Sequence, residues 1–107
     1  MTFEYDIKHI DGIVIVSFYG RILDRSDAND MMSQVDNLIS TGKNKIIVNM
    51  KHIDYINSSG LNVLITLHTN TRNIYGELYI CELPEKVKKL IILSKLDNVF
   101  NLSLIHI

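Results

Sequence analysis

Apolar positions recur along this chain with two different periods, and the changes of period mark its elements. In "TFEYDIKHI" Phe3, Tyr5 and Ile7 alternate with Glu4, Asp6 and Lys8, which predicts a strand with one wet face. "DG" at 11–12 is a hairpin turn signal. "IVIVSFYG" after it is apolar on both faces, so a second, more central strand is expected, antiparallel to the first and ended by Gly20. In "DRSDANDMMSQVDNLISTG" the period changes. Ala28, Met31, Met32, Val35, Leu38 and Ile39 fall on one face of a helix, with Asp24 or Ser26 as its cap, Asp27 and Asp30 in its first turn and Gly42 as its stop.

"NKIIVNM" is a third strand, and "KHIDYI" reads as a short connection leading to "NSSG". "LNVLITLHTNTRNIY" is a second helix with Leu61, Leu64, Ile65 and His68 on its inner face, widened by Val63 and Leu67, and closed by Gly76. "ELYICEL" is a strand, "PEKVKKLIILSK" a third helix opened by Pro84, and "NVFNLSLIHI" a last strand-like segment. The order is β-β-α-β-α-β-α-β. A hairpin followed by strands alternating with single helices implies mostly parallel pairing through right-handed crossovers. The expected fold is a small α/β sandwich with an open mixed sheet and its helices mainly on one face.

Length and composition narrow the function classes. A chain of 107 residues supports one core, hence one domain over 1–107. The formal net charge of -1 gives no bulk attraction to nucleic acid or to an anionic membrane. Lys86, Lys88, Lys89 and Lys95 cluster, but as the wet face of the third helix. No run approaches the roughly 18 apolar residues of a membrane span. The N-terminus has no basic segment leading into a long apolar one, so a cytoplasmic location is expected. Cys81 is the single cysteine and sits in an apolar segment, so it is expected as a buried core thiol.

Several chemistries lack their residues. Neither G-x-x-x-x-G-K-[ST] nor G-x-G-x-x-G occurs. His9, His52, His68 and His106 share no metal-ligand spacing, and no metal or cofactor is expected. "DRSDAND" is acidic but lacks the glycine and terminal glutamate of a calcium loop, and capping explains it. "NSSG" lies between strand and helix, where a hydrolase nucleophile would, yet the first glycine of G-x-S-x-G is missing. His68 is two to three turns along the serines' own helix, too far to act as their base.

The serines themselves are informative. Asn57, Ser58 and Ser59 are all good N-cap types, and Gly60 allows a tight approach to the helix. A phosphate on Ser58 or Ser59 would meet the unpaired N–H groups and the positive end of that helix. It would add nearly two negative charges to an exposed corner, enough to repel a partner docked there.

"YINSSGL" resembles the signature of the anti-sigma factor antagonists, the stand-alone bacterial form of the STAS domain: an acidic residue, Ser-Ser-Gly or Ser-Thr-Gly, then Leu. "VSFYGRILD" resembles their Gly-x-Leu-Asp with one extra residue between Gly20 and Asp24. "KIIVNMKHIDYINSSGLNVLI" and "YGELYICELPEKVKKLIILSKLDNVF" resemble the family's following elements, closing on Leu96 and Phe100. The resemblance implies a non-catalytic partner switch. In the family, the unphosphorylated antagonist binds an anti-sigma factor that is also a GHKL-type serine kinase. Phosphorylation of the first motif serine blocks binding, and a PP2C-type phosphatase restores it. Carried onto this chain, Ser58 is the phosphoacceptor and Asn57, Ser59 and Gly60 shape its loop. Asp24, Arg25, Ser26, Leu61 and Asn62 would lie on the docking face.

The chain departs from the pattern twice. Asn57 stands where the family has an acid: it keeps the cap and loses the charge. That slows phosphorylation if the acid orients the hydroxyl, and eases it if the acid repels phosphate. The further helix usual after the last strand is expected to be missing or vestigial, and the apolar Leu104, Ile105 and Ile107 need cover from the domain or from a second copy in a homodimer. These departures favour the alternative, an unphosphorylated STAS scaffold or assembly subunit of a sensor or transport complex.

Overall fold

The computed structural model describes residues 3–93 and 101–103. Five strands form one mixed sheet in the order β1 (Glu4–Ile10), β2 (Ile13–Ile22), β3 (Lys45–Ile56), β4 (Glu77–Cys81) and β5 (Asn101–Ser103). β1 and β2 are antiparallel; β2–β3, β3–β4 and β4–β5 are parallel. The hairpin turns at Asp11 and Gly12, both at positive φ (50° and 81°), the geometry that Asp-Gly supplies to a two-residue turn. Helices α1 (Asn29–Ser40), α2 (Ser58–Asn73) and α3 (Glu85–Leu93) follow β2, β3 and β4. The strands succeed one another in one direction across the sheet. Right-handed crossovers taken in one direction put all their helices on the same face.

That face holds the core. Val14, Val16 and Phe18 of β2, Ile46, Val48 and Met50 of β3, and Leu78 and Ile80 of β4 are buried there. Against them pack Met31 and Val35 of α1, Leu64 and Leu67 of α2, and Val87 and Ile91 of α3. Phe3, Tyr5 and Ile7 extend the core onto the edge strand, where the Tyr5 hydroxyl donates to the Asp30 carboxylate of α1. Cys81 is a free, buried thiol, and burial raises its pKa first, with the nearby Glu82 adding to it. Lys86, Lys88 and Lys89 are exposed on α3. The expected roles of Lys95, Leu96, Phe100, Leu104, Ile105 and Ile107 lie outside the described residues.

Two boundaries differ from the expected ones, for one reason. β2 does not end at Gly20, and "KHIDYI" is not a connection: β2 continues to Ile22 and β3 to Ile56, and the two stay paired up to those residues apart from two irregularities. Ser17 pairs with Asn49 but Tyr19 with His52; Gly20 pairs with Ile53 but Arg21 with Tyr55. β3 thus carries an extra residue at each of two points. Each bulge breaks the alternation, leaving Lys51 and His52, then Asp54 and Tyr55, exposed in succession. Gly20 sits between the two irregularities at φ +88°, a conformation that disfavours any side chain. A further difference lies after α2, where Tyr75 takes the left-handed position (φ 59°), not Gly76.

Candidate functional site

The extended end of β3 delivers the chain to α2 at Asn57, whose backbone is extended (φ −110°, ψ −163°) and whose C=O accepts the first helical bond, from Leu61 N–H at 3.0 Å. Asn57 is the N-cap: its Oδ1 accepts from the N–H groups of Ser59 (2.9 Å) and Gly60 (3.3 Å). Its Nδ2 donates to the Leu23 carbonyl at 2.8 Å. Both ends of the amide are committed, one to the helix and one to the loop after β2.

Ser58 is the first helical residue, exposed, and its hydroxyl makes no hydrogen bond among the described residues. Ser59 is half-buried. Gly60 is buried because α2 crosses β3 and the end of β2 at close range: a Cβ there would lie 2.6 Å from Ile56 Cβ and 3.3 Å from Ile22 Cβ. The expected tight approach at Gly60 is therefore a contact with strand side chains.

The loop after β2 is tied from several sides. A short 3₁₀ turn, Arg25–Ala28, precedes α1, with Asp24 as its cap. The Asp24 carboxylate accepts from the Ser26 hydroxyl and from the Ser26 N–H (3.0 Å), and the hydroxyl first, then the N–H, lowers its pKa. Asp27 accepts from the N–H groups of Leu23 (3.0 Å) and Asp24 (3.1 Å), completing a capping box. The acidic run is thus used in capping, and no group of three or more candidate metal ligands occurs among the described residues.

Arg25 reaches across to α2, donating to Asn62 Oδ1 (3.0 Å) and Thr66 Oγ1 (3.2 Å). The structure therefore brings Asp24, Arg25, Ser26 and Asn62 together beside the loop of Asn57, Ser58 and Ser59. Leu61 is the exception. It is 5% exposed and part of the core, so it supports α2 from below and is not available on a docking face.

Residues that sequence reasoning did not single out complete the corner. Ser58 lines a cavity of about 310 Å³ with Tyr55, Asn57, Lys86, Val87 and Leu90. A neighbouring cavity of about 380 Å³ is walled by Arg21, Leu23, Asp54, Tyr55 and Lys86. Leu23 and Tyr55 are 49% and 48% exposed, large apolar groups held in the open, Tyr55 lining both cavities and Leu23 the neighbouring one. Reading "KHIDYI" as a bulged strand would have pointed to Tyr55; nothing local points to Lys86. Among the described residues no histidine lines the Ser58 cavity. His52 instead stacks on Tyr19 (5.1 Å between centroids), and His68 is buried within α2.

The comparisons with known proteins converge on one family. The STAS domain model matches residues 4–106. The chain is 26% identical over 91 residues to BtrV of Bordetella bronchiseptica, whose name assigns it provisionally to the anti-sigma factor antagonists; the match covers 85% of this chain and 78% of BtrV. It is 26% identical over 100 residues to the anti-sigma F factor antagonist of Paenibacillus polymyxa, covering 92% and 85% of the two chains. In structure it is similar to the anti-sigma factor antagonist SpoIIAA in its unphosphorylated form (TM-score 0.76, 11% identity, 96% of this chain and 90% of that one). It is similar also to SpoIIAA of Bacillus in the phosphorylated form (TM-score 0.74, 16% identity, 94% and 91%). At such identities the structural likeness establishes the shared fold. No helix among the described residues is long and apolar enough to cross a membrane. With an antiparallel hairpin leading into a parallel sheet, a Ser-Ser-Gly helix start at its corner and a family match over nearly the whole length, the chain belongs to the STAS domain family.

Proposed function

We propose that this chain is an anti-sigma factor antagonist: a non-catalytic, single-domain STAS module that binds an anti-sigma factor and is released by phosphorylation of Ser58. The observation that carries this reading is the state of Ser58. Ser58 is exposed at the start of α2 and its hydroxyl has no hydrogen bond among the described residues, while two exposed apolar side chains line its cavity (Tyr55) and the adjoining one (Leu23). A surface of that kind docks a partner, and a phosphate at its centre opposes docking through charge and desolvation. The names of the relatives support an anti-sigma factor as that partner. The opposing activities would be a GHKL-type serine kinase, which is the partner itself, and a PP2C-type phosphatase, acting in the cytoplasm.

Incubation with such a kinase and ATP, followed by peptide mass mapping, tests the reading. One phosphate is expected, on Ser58, and none in Ser58→Ala. Phosphate that survives Ser58→Ala unchanged places the site elsewhere.

A second reading, an unphosphorylated STAS scaffold or assembly subunit of a sensor or transport complex, draws on Asn57. Its amide is fully engaged in structure and brings no charge to Ser58. A stable stoichiometric complex with a non-kinase partner, with no phosphate gained from a cellular kinase, would favour it.

A further inference from the structure

The sequence points to the N–H groups at the start of α2 as the seat of a phosphate on Ser58. The geometry removes two of them: the Ser59 and Gly60 N–H groups already donate to Asn57 Oδ1. A phosphate dianion would find its counter-charge elsewhere. Among the described residues lining the Ser58 cavity, one is charged, and it is Lys86, in the first turn of α3. Among the described residues no carboxylate lines that cavity, and none stands in the first turn of α2, where Asn57 replaces the family's acid. The charged groups lining the adjoining cavity are Arg21, Asp54 and again Lys86, two cations to one carboxylate. Asp24 and Asp27 of the neighbouring loop are engaged in capping, and Glu85, beside Lys86 in α3, is outside both described linings.

We infer that Lys86 is the positioning residue for the phosphorylated state: its ammonium pairs with the phosphate of phosphoserine 58, with Arg21 behind it on the neighbouring wall, so that α3 and not the α2 helix end holds the modified side chain. This deepens the proposed function and rests on Ser58 being the phosphoacceptor. The pairing would draw the phosphate into the groove between α2 and α3 and cover the Tyr55 side of the docking surface. Release of the partner would then involve occlusion as well as repulsion. Asn57 fits the same logic, since an acid there would compete with the phosphate for Lys86.

The test uses the full chain with phosphoserine installed at position 58 during translation, followed by ³¹P NMR as a function of pH. A free phosphoserine has its second pKa near 6, and a lysine in contact lowers it. A value lower by roughly half a unit or more is expected in the wild type. It should persist in Lys86→Arg and return toward the free value in Lys86→Gln. Lys88→Gln, on the same helix but outside the cavity lining, should leave it in place. An unchanged value in Lys86→Gln overturns the pairing, as does an equal rise in Lys88→Gln, which would mark a general charge effect. Because the phosphate is placed by translation, the titration does not depend on any kinase. Loss of the pairing and loss of the phosphoacceptor reading are therefore read separately.

Discussion

Asn57 and Leu23 are joined by one hydrogen bond, Nδ2 to carbonyl at 2.8 Å, across 34 residues of sequence. The Leu23 N–H is meanwhile held by Asp27. Leu23 therefore has both backbone groups fixed while its side chain stays 49% exposed. An exposed leucine on a restrained backbone is costly to a monomer in isolation and suited to a partner, because little ordering entropy remains to be lost on docking. Asn57 thus starts the helix and also fixes the loop opposite Ser58.

Replacing Asn57 separates those two tasks. Asn57→Ala removes the cap and the Leu23 bond together, and a loss of about 2 kcal/mol is expected, about 1 from each. Asn57→Asp keeps an acceptor for Ser59 and Gly60 and gains from the helix dipole by roughly 0.5 kcal/mol, but it sets a carboxylate against the Leu23 carbonyl. Its net loss should be about 1 kcal/mol or less. Urea unfolding of both variants checks the order; equal stability of wild type and Asn57→Ala would refute the bridging role.

Gly60→Ala sets helix propensity against packing. Alanine gains about 1 kcal/mol in a helix interior. Its Cβ, however, would come to 2.6 Å from Ile56 Cβ, an atom that cannot rotate away. Overpacking of this kind costs about 1–3 kcal/mol, and parting α2 from β3 lies toward the upper end. A net fall in the thermal midpoint is expected, and a rise would show that the two elements part freely.

Charge at Ser58 should act on binding and spare the fold. Ser58→Asp is expected to weaken the proposed anti-sigma factor complex at least tenfold, about 1.4 kcal/mol, with the unfolding midpoint little changed. Isothermal titration calorimetry beside a urea curve distinguishes the two effects. Unchanged affinity would remove repulsion as the mechanism.

Leu23 and Tyr55 are expected to be anchors of the same surface. Leu23→Ala and Tyr55→Ala should each weaken binding about tenfold or more, since buried apolar and aromatic anchors dominate interface energies. Their stability should shift by less than about 0.5 kcal/mol, because neither side chain is buried in the free protein. A pair of variants that bind normally would place the docking surface elsewhere.

His68 gives the fold a pH dependence of defined sign. Burial lowers its pKa from the ordinary 6.5, and the charge of Arg72 lowers it further. Between that ordinary value and the lower folded one, the unfolded chain binds more protons than the native one, so stability falls as pH falls through this window. Above it the histidine is neutral in both states and contributes no slope. The difference between the pH–stability curves of wild type and His68→Gln should fall below pH ~6.5 and be flat above it. A flat difference curve throughout would mean that His68 titrates alike in both states.

The strand and helix periods placed the five strands and three α-helices of the described chain, though not the 3₁₀ turn before α1, and the inward residues of α1 followed from spacing alone. The boundaries that moved lie where two bulges shift the β3 alternation, and a pattern reading that relies on period two ends at Met50 for that reason. Leu61 shows a related limit. It adjoins the motif in sequence, yet the helix turns it inward, since neighbouring residues on a helix point about 100° apart.

The sequence by itself determined the order and kind of the elements, the Asn-Ser-Ser-Gly helix start and its likeness to the STAS antagonists. These depend on local spacing and on the chemistry of single residues. Tertiary structure alone decided that Asn57 reaches Leu23, that Arg25 reaches Asn62, and that Lys86 lines the cavity of Ser58. Those meetings depend on the register of β2 on β3 and on where each crossover sets its helix down. Both are set by packing of the whole core, so no local pattern records them.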